Sequence, residues 1–188
     1  MRLIYLLPVG STEDEVLTML EQQLHQMLGW EIRRGTALQM PAAAYNAARK
    51  QYEALQVMRA VADVIPADAT RALGIMKEDL SIPMLTFVYG QAQLRGRVAL
   101  MSIARLQQEF YGLPANKVLT STRIVKVALH ELGHTFGLVH CPIPSCVMTI
   151  ANDIQQVDKK NCEFCSGCAV LLQETLRLVE RNGKKEAL

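Results

Sequence analysis

Residues 130–140 read HELGHTFGLVH, and this stretch is the most informative part of the chain. In a helix, side chains four positions apart lie one turn apart on the same face, so His130 and His134 can direct imidazole nitrogens at one ion. Gly137 can end that helix in a left-handed conformation that a side chain would disfavour, and the returning chain brings His140 in as a third ligand. Three protein ligands leave the fourth position of a catalytic zinc ion open to water.

Glu131 supplies the second half of this chemistry. It lies about 100° around the helix axis from its histidine neighbour, so its carboxylate can reach a water on the metal without occupying a coordination position. The competing interpretation is a buried amphipathic helix with incidental histidines. The helix already has an apolar face, which is formed by Val125, Leu129, Leu132 and Phe136. Burial of the helix therefore does not explain the histidines. The pattern therefore favours a zinc hydrolase.

All five cysteines lie between residues 141 and 168, which indicates a second metal site. A Cys-x4-Cys pair and a Cys-x2-Cys pair suit a tetrahedral zinc ion with four sulfur ligands. Disulfide bonds are the alternative, but an odd cysteine count argues against them. The apolar start of the chain is also too short for the core of a signal peptide. Both observations favour a reducing compartment, and we expect a cytoplasmic protein.

The histidine pattern resembles the signature of the metzincin metallopeptidases, HExxHxxGxxH, which is followed by a methionine turn. Met148 is the candidate methionine. The cysteine directly after the last histidine, and those that follow it, narrow the resemblance to the archaemetzincins. The strong resemblance covers residues 130–168, and residues 86–92 and 101–106 are more weakly similar. It implies peptide-bond hydrolysis with two zinc ions per chain, one catalytic and one structural. The implied ligands of the structural zinc are Cys141, Cys146, Cys165 and Cys168.

One departure from the family pattern leaves a choice of cysteines. Archaemetzincins generally have seventeen residues between the motif methionine and the Cys-x-x-Cys pair, whereas sixteen residues separate Met148 from Cys165 here and thirteen separate it from Cys162. We assign the site to Cys165 and Cys168, because one deletion is a smaller change than four. Cys162 is then a spare thiol, and the pair Cys162 and Cys165 remains the alternative.

The order of hydrophobic patterns predicts an α/β (α+β) fold. The predicted strands are residues 2–7, 30–33, 71–76, 84–89 and 97–102, and the predicted helices are 12–27, 45–64, 117–138 and 168–180. Ser11 is the candidate N-cap of the first helix. The last helix is expected to dock Leu171, Leu172, Leu176 and Val179. Strands separated by helices imply a metzincin-like mixed sheet, mostly parallel, and the closely spaced last pair implies one antiparallel edge strand.

Length and composition indicate one metallopeptidase domain. With 188 residues, of which 50% are hydrophobic and 20% charged, residues 1–188 can form one core. We expect an upper subdomain of residues 1–137 with the sheet and the zinc helix. A small lower subdomain of residues 138–188 would hold the cysteine site. A net charge of +2 argues against nucleic-acid or membrane-surface binding, and no apolar run approaches the ~18 residues that span a bilayer. The expected partner is a peptide or protein substrate, and the oligomeric state stays open.

The sequence leaves alternatives open for the class of function and for the oxyanion donor. The alternative to a peptidase is a non-catalytic, zinc-stabilised protein- or nucleic-acid-binding module with a vestigial histidine site. Glu131 argues against it, because a structural site has no use for a base. The substrate backbone is expected to pair with an edge strand around residues 97–101. Thr149, and not a tyrosine, follows the motif methionine, so the oxyanion donor is left open between Tyr89 and Tyr111.

Overall fold

Nine strands and five α-helices form the described part of the chain, which is residues 2–185 of a computed structural model, with side chains for residues 2–178. The strands are β1 (Leu3–Pro8), β2 (Glu31–Arg34), β3 (Tyr45–Asn46), β4 (Gln51–Glu53), β5 (Arg71–Met76), β6 (Leu80–Ile82), β7 (Leu85–Val88), β8 (Gly90–Ala92) and β9 (Val98–Ser102). The helices are α1 (Asp14–Leu28), α2 (Ala54–Asp63), α3 (Lys117–Thr135), α4 (Ile154–Lys159) and α5 (Ser166–Lys185).

The main sheet has five strands in the order β2-β1-β5-β9-β8. The first four are parallel to one another, and β8 pairs antiparallel with β9. The predicted mixed sheet with one antiparallel edge strand is therefore confirmed. The predicted strand of residues 84–89 is not that edge strand, because its central part is β7, which pairs with β6 in a separate sheet. Successive strand residues point to opposite faces, so Leu73 and Ile75 belong to one core with α1 and α3, whereas Ala72 and Met76 belong to a second core with α2.

Helix α3 crosses the first of these cores and carries the histidine motif. Asn116 caps its start, since the side-chain oxygen accepts a hydrogen bond of 3.0 Å from the backbone nitrogen of Leu119. Near its end, Phe136 packs edge-on against the buried Trp30, with ring centroids 5.1 Å apart. Both ends of the helix are thus fixed, which gives the motif a rigid support.

A second sheet, with the order β3-β4-β6-β7, was not expected. The predicted helix over residues 45–64 is wrong in its first part, because two short strands occupy residues 45–53 and α2 begins only at Ala54. Lys50 has a φ of 53°, a left-handed conformation that a continuous helix does not allow. Arg49 holds the turn in place by donating to the carbonyl oxygens of Leu85 and Thr86 at 2.6 and 2.7 Å.

The exposed edge of the main sheet lies elsewhere than predicted. Residues 98–101 belong to β9, which pairs with β5 on one side and with β8 on the other. The free edge beside the histidines is therefore β8, Gly90–Ala92. The turn that leads back into β9 is held by Gln93, whose side-chain oxygen accepts from the backbone nitrogens of Arg97 and Val98 at 3.2 and 3.3 Å.

The start of α1 and the set of buried residues in α5 also differ from the prediction. Helix α1 begins at Asp14 and its N-cap position is Glu13, which makes no side-chain capping bond, so Ser11 is not the cap. Helix α5 buries Leu172 and Leu176 but leaves Leu171 55% exposed, and the side chain of Val179 lies outside the described residues.

A search of the helices within residues 2–185 found none with the length and the apolar character that a membrane span needs.

Candidate metal and active site

The three motif histidines converge at the C-terminal end of α3, where His130 and His134 lie in its last two turns and His140 follows the helix. The Nε2 atoms of His130 and His134 are 3.2 Å apart, and ring nitrogens of all three histidines lie within 4.8 Å of one another. Gly137, with a φ of +89°, turns the chain back so that His140 completes the group. Two nitrogens on a tetrahedral zinc ion, at about 2.0–2.1 Å from the metal, are ~3.3 Å apart, so the observed spacing fits one ion.

Backbone carbonyls orient two of these rings. Nδ1 of His130 lies 2.9 Å from the carbonyl oxygen of Val147, and Nδ1 of His134 lies 2.7 Å from that of Leu138. Hydrogens on these two nitrogens leave each Nε2 lone pair free for a metal. Burial lowers the pKa of His130 to about 3 and also lowers the pKa of His134 and His140. All three rings are therefore neutral at pH 7, as metal ligation requires.

Glu131 is buried beside this group and packs against the edge strand β8. Burial raises its pKa to about 8, and the opposite charge of Lys160 acts in the other direction. A Cβ atom at Gly90 would lie 2.6 Å from Cγ of Glu131 and 2.6 Å from the carbonyl oxygen of Leu100. Glycine at position 90 thus makes room for the carboxylate. This role was not predicted, because its only signal in the sequence is a glycine directly after a predicted strand.

Met148 lies fully buried beneath α3, as expected of a methionine turn. A Cβ atom at Gly133 would come within 2.5 Å of Sδ of Met148 and within 3.4 Å of the Phe164 ring. This glycine, in the middle of the histidine motif, is a second residue whose role was missed. It lets the helix approach the segment that carries the carbonyl of Val147.

The structure brings four of the five cysteines together. The sulfur atoms of Cys141, Cys146, Cys165 and Cys168 lie within 4.8 Å of one another. Two sulfurs on a tetrahedral zinc ion at about 2.3 Å would be ~3.8 Å apart. The sulfurs of Cys141 and Cys165 are separated by 3.8 Å. Cys162 lies apart from the cluster, with its sulfur 4.0 Å from the carbonyl oxygen of Thr122. The backbone of Cys168 donates to the Cys165 sulfur and lowers the pKa of that thiol to about 7, which favours the thiolate that binds metal.

A cavity of about 600 Å³ opens onto the histidines. Strand β8 and the end of β7 form one wall, and α3 with residues 150–160 forms the other. Of the two tyrosines considered as oxyanion donors, Tyr89 lines this cavity and is 9% exposed, and burial raises its pKa. Tyr111 is 41% exposed and donates its hydroxyl to the carbonyl oxygen of Arg105 at 2.9 Å, so its hydroxyl is already engaged outside the cavity wall.

The family follows from comparison with known proteins. The model for peptidase family M54 matches residues 16–174. The chain belongs to this family. It is 38% identical to an archaemetzincin of Methanocaldococcus jannaschii over 168 residues, which cover 89% of this chain and 90% of that protein. The resemblance to the archaemetzincins is thus confirmed, and the chain is a zinc metallopeptidase.

Solved archaemetzincin structures share its fold. The crystal structure from Methanopyrus kandleri matches with a TM-score of 0.83 and 34% identity, covering 94% of this chain and 96% of that one. The structure from Archaeoglobus fulgidus, described as complexed with malonate, matches with a TM-score of 0.79 and 31% identity, covering 90% and 99%. The M54 family member described here therefore has the archaemetzincin architecture along nearly its whole length.

Proposed function

We propose that this M54 peptidase hydrolyses peptide bonds with Glu131 as the general base and with His130, His134 and His140 as the ligands of a catalytic zinc ion. The observation that carries the proposal is the convergence of three neutral imidazoles next to the buried carboxyl group of Glu131. The positive charge of a bound zinc ion would favour the ionised form that a base requires. When bound, zinc supplies a Lewis acid for the scissile carbonyl and lowers the pKa of a water at its open position.

The protein residues then perform the proton transfers. Glu131 lies one position from its ligand neighbour and faces the cavity, so it accepts the proton of the attacking water and passes it to the leaving amine. The neutral histidines keep the full charge of the metal available to the substrate. The free edge of β8 lies along the same cavity, and it offers backbone groups to an extended peptide.

We also propose a structural zinc ion at Cys141, Cys146, Cys165 and Cys168, which makes two zinc ions per chain. The 3.8 Å sulfur separation and the clustering of these four thiols support this ligand set, and the position of Cys162 argues against its inclusion. Thiolate ligands must stay reduced, so a cytoplasmic location fits the site. The cleft between residues 1–137 and residues 138–188 is the proposed boundary of the two subdomains.

The deciding experiment replaces Glu131 by glutamine. Glu131→Gln keeps the volume of the side chain and all three histidines, so zinc content and folding should be retained. The kcat on a peptide library should fall by about 10²–10⁴-fold, the usual contribution of general-base assistance. Glu109→Gln is the matched control, since this exposed carboxylate lies outside the cavity and its loss should leave kcat unchanged.

Both variants and the wild type are compared after zinc content has been measured. A Glu131→Gln variant as active as the wild type would contradict the base assignment. A zinc-loaded wild type that cleaves no peptide of the library would instead support the non-catalytic binding module.

A further inference from the structure

Basic residues outnumber acidic residues in the lining of the cavity. Among the described residues, the charged side chains of its wall are Lys126, Glu131 and Lys160. Two lysines therefore line the cavity together with one acidic residue, and the proposed catalytic metal adds further positive charge. An electropositive cleft with low-dielectric walls attracts and concentrates anionic groups.

The ammonium group of Lys126 is already hydrogen-bonded within the protein. Its Nζ donates to the carbonyl oxygens of Val157 and Asp158 at 3.1 and 2.9 Å, at the end of α4. These two charge-assisted bonds fix the segment that forms one wall of the cavity. The ammonium of Lys126 is thus a structural group and not a free site for a ligand.

Lys160 is in a different situation. Its side chain is 7% exposed, and its Nζ donates to the carbonyl oxygen of Val147 at 3.4 Å. An ammonium group has three donors, and its hydrogen bonds are normally 2.7–2.9 Å long. Within the described part of the chain Lys160 forms no ion pair. Burial lowers the pKa of Lys160 to about 8, and the charges of Glu131 and Cys146, which act on it without direct contact, only partly offset this effect. The group has donors to spare where it faces the cavity.

The wall around Lys160 is mostly apolar. Apolar residues from both walls of the cavity include Phe87, Tyr89, Val127, Ala151 and Val157. A pocket with apolar walls and one convergent charged group fits a ligand that has an apolar stem and a terminal anion. Among the groups of an unmodified peptide, the carboxylate is the one that is fully ionised as an anion near pH 7.

We propose that the cavity binds a carboxylate of the substrate residue next to the scissile bond and that Lys160 is the partner of this carboxylate. This specificity rests on the proposed peptidase function. The carboxylate has two possible sources, which are the side chain of an acidic residue and the free C-terminus of a short peptide. Both present the same chemical group to the ammonium.

The test compares charged and neutral forms of the same peptide. Pairs with Glu or Gln at each position flanking the cleaved bond examine the side chain, and pairs with a free or an amidated C-terminus examine the chain end. The wild type should prefer the carboxylate of one pair by on the order of 10- to 100-fold in kcat/KM, as expected for a hydrogen bond to a charged group. Whichever pair shows the preference identifies the source.

Lys160→Met should abolish this preference, and Lys160→Arg should keep most of it. Lys159→Met is the matched control, because the same change at the exposed neighbour should leave the preference intact. If Lys160→Met does not fold, Lys160→Gln replaces it. The proposal is overturned if the wild type shows no preference, or if loss of Lys160 lowers kcat/KM equally for both members of every pair. The second result would mean that Lys160 only balances the charges of Glu131 and the cysteine cluster.

A binding measurement separates this proposal from the peptidase function. Fluorescence anisotropy with labelled peptides on zinc-loaded Glu131→Gln should show the same 10- to 100-fold preference, even if no cleavage is detected in the wild type. Equal affinities for the carboxylate and amide peptides would overturn the specificity and leave the peptidase function untouched.

Discussion

Gly133 and Met148 form the closest approach between α3 and the segment below it. A Cβ atom at position 133 would lie 2.5 Å from Sδ and 3.1 Å from Cε of Met148, which is fully buried. The thioether cannot simply move into solvent, and the Phe164 ring would lie 3.4 Å from the same Cβ atom. A hydrogen at this position is therefore a packing requirement.

Gly133→Ala should destabilise the protein by about 1–3 kcal/mol, as overpacked core positions do. In an open helix the same change would stabilise by roughly 0.8–1 kcal/mol. Gly167→Ala provides that comparison, since a Cβ atom at this position in α5 would meet nothing within 4 Å. Urea denaturation measures the free energy of unfolding of both variants. Equal stabilisation of the two would show that the close approach of Gly133 to Met148 does not affect stability.

The ion pair between Arg123 and Asp158 should contribute to stability because one partner is buried. Both bonds of this bidentate pair are 2.7 Å long, and the Arg123 side chain is 5% exposed. Asp158→Asn leaves the guanidinium without a counter-charge and should cost about 1–3 kcal/mol. Lys117→Met removes an exposed ion pair that joins α3 to Glu15 of α1, and this change should cause no measurable shift in the unfolding midpoint. Similar losses from both variants would contradict the role of burial.

The stability of the metal-free protein should depend on pH through Glu131. Burial raises the folded-state pKa from 4.5 to about 8, so the carboxyl contributes stability that is fully present below pH 4.5 and is lost as the pH rises to about 8. Metal-free Glu131→Gln should therefore melt at a higher temperature than the wild type at pH 8. The difference should shrink toward pH 5. Thermal unfolding across this range tests the sign, and a constant difference would contradict it.

Chelation should remove the two proposed zinc ions in a fixed order. A four-cysteine site is closed and coupled to folding, whereas the histidine site keeps an open position. A mild chelator should thus empty the histidine site first, as metal analysis during the titration would show. Simultaneous loss of both ions would contradict the difference between the sites.

The cysteine cluster should also support the histidine site. Cys146→Ser should remove the tighter ion and weaken zinc binding at the histidines by about 10–100-fold, because the carbonyl that orients His130 belongs to the next residue. Cys162→Ser should retain both ions. Loss of a metal from Cys162→Ser would show that the other pair of cysteines is correct.

The parts of the fold that were predictable depend on local patterns. The strands β1, β5 and β9 are continuous apolar runs, and the histidine motif carries its spacing within one helix and one turn. Family resemblance added the methionine turn and the structural cysteines. These features follow from side-chain period and motif spacing, which do not depend on distant contacts.

The parts that were missed depend on tertiary contacts. Residues 45–53 have a helix-like composition, but hydrogen bonds from Arg49 to β7 hold them as strands. The edge strand β8 has three residues, two of them glycine and alanine, so no apolar alternation marks it. The roles of Gly90 and Gly133 arise from residues far away in sequence, which no local pattern reports.

Three consecutive residues, 146–148, perform three different tasks. Cys146 belongs to the thiol cluster, the carbonyl of Val147 orients His130, and Met148 supports α3 at Gly133. An insertion or deletion here would shift all three at once, so length variation in this part of the chain should accumulate after Met148. The two sites should also differ in how they tolerate loss. If the cysteines hold the proposed structural zinc ion, their loss should disturb the carbonyl of Val147 and with it the histidine site, whereas loss of the histidines should leave the thiol cluster in place.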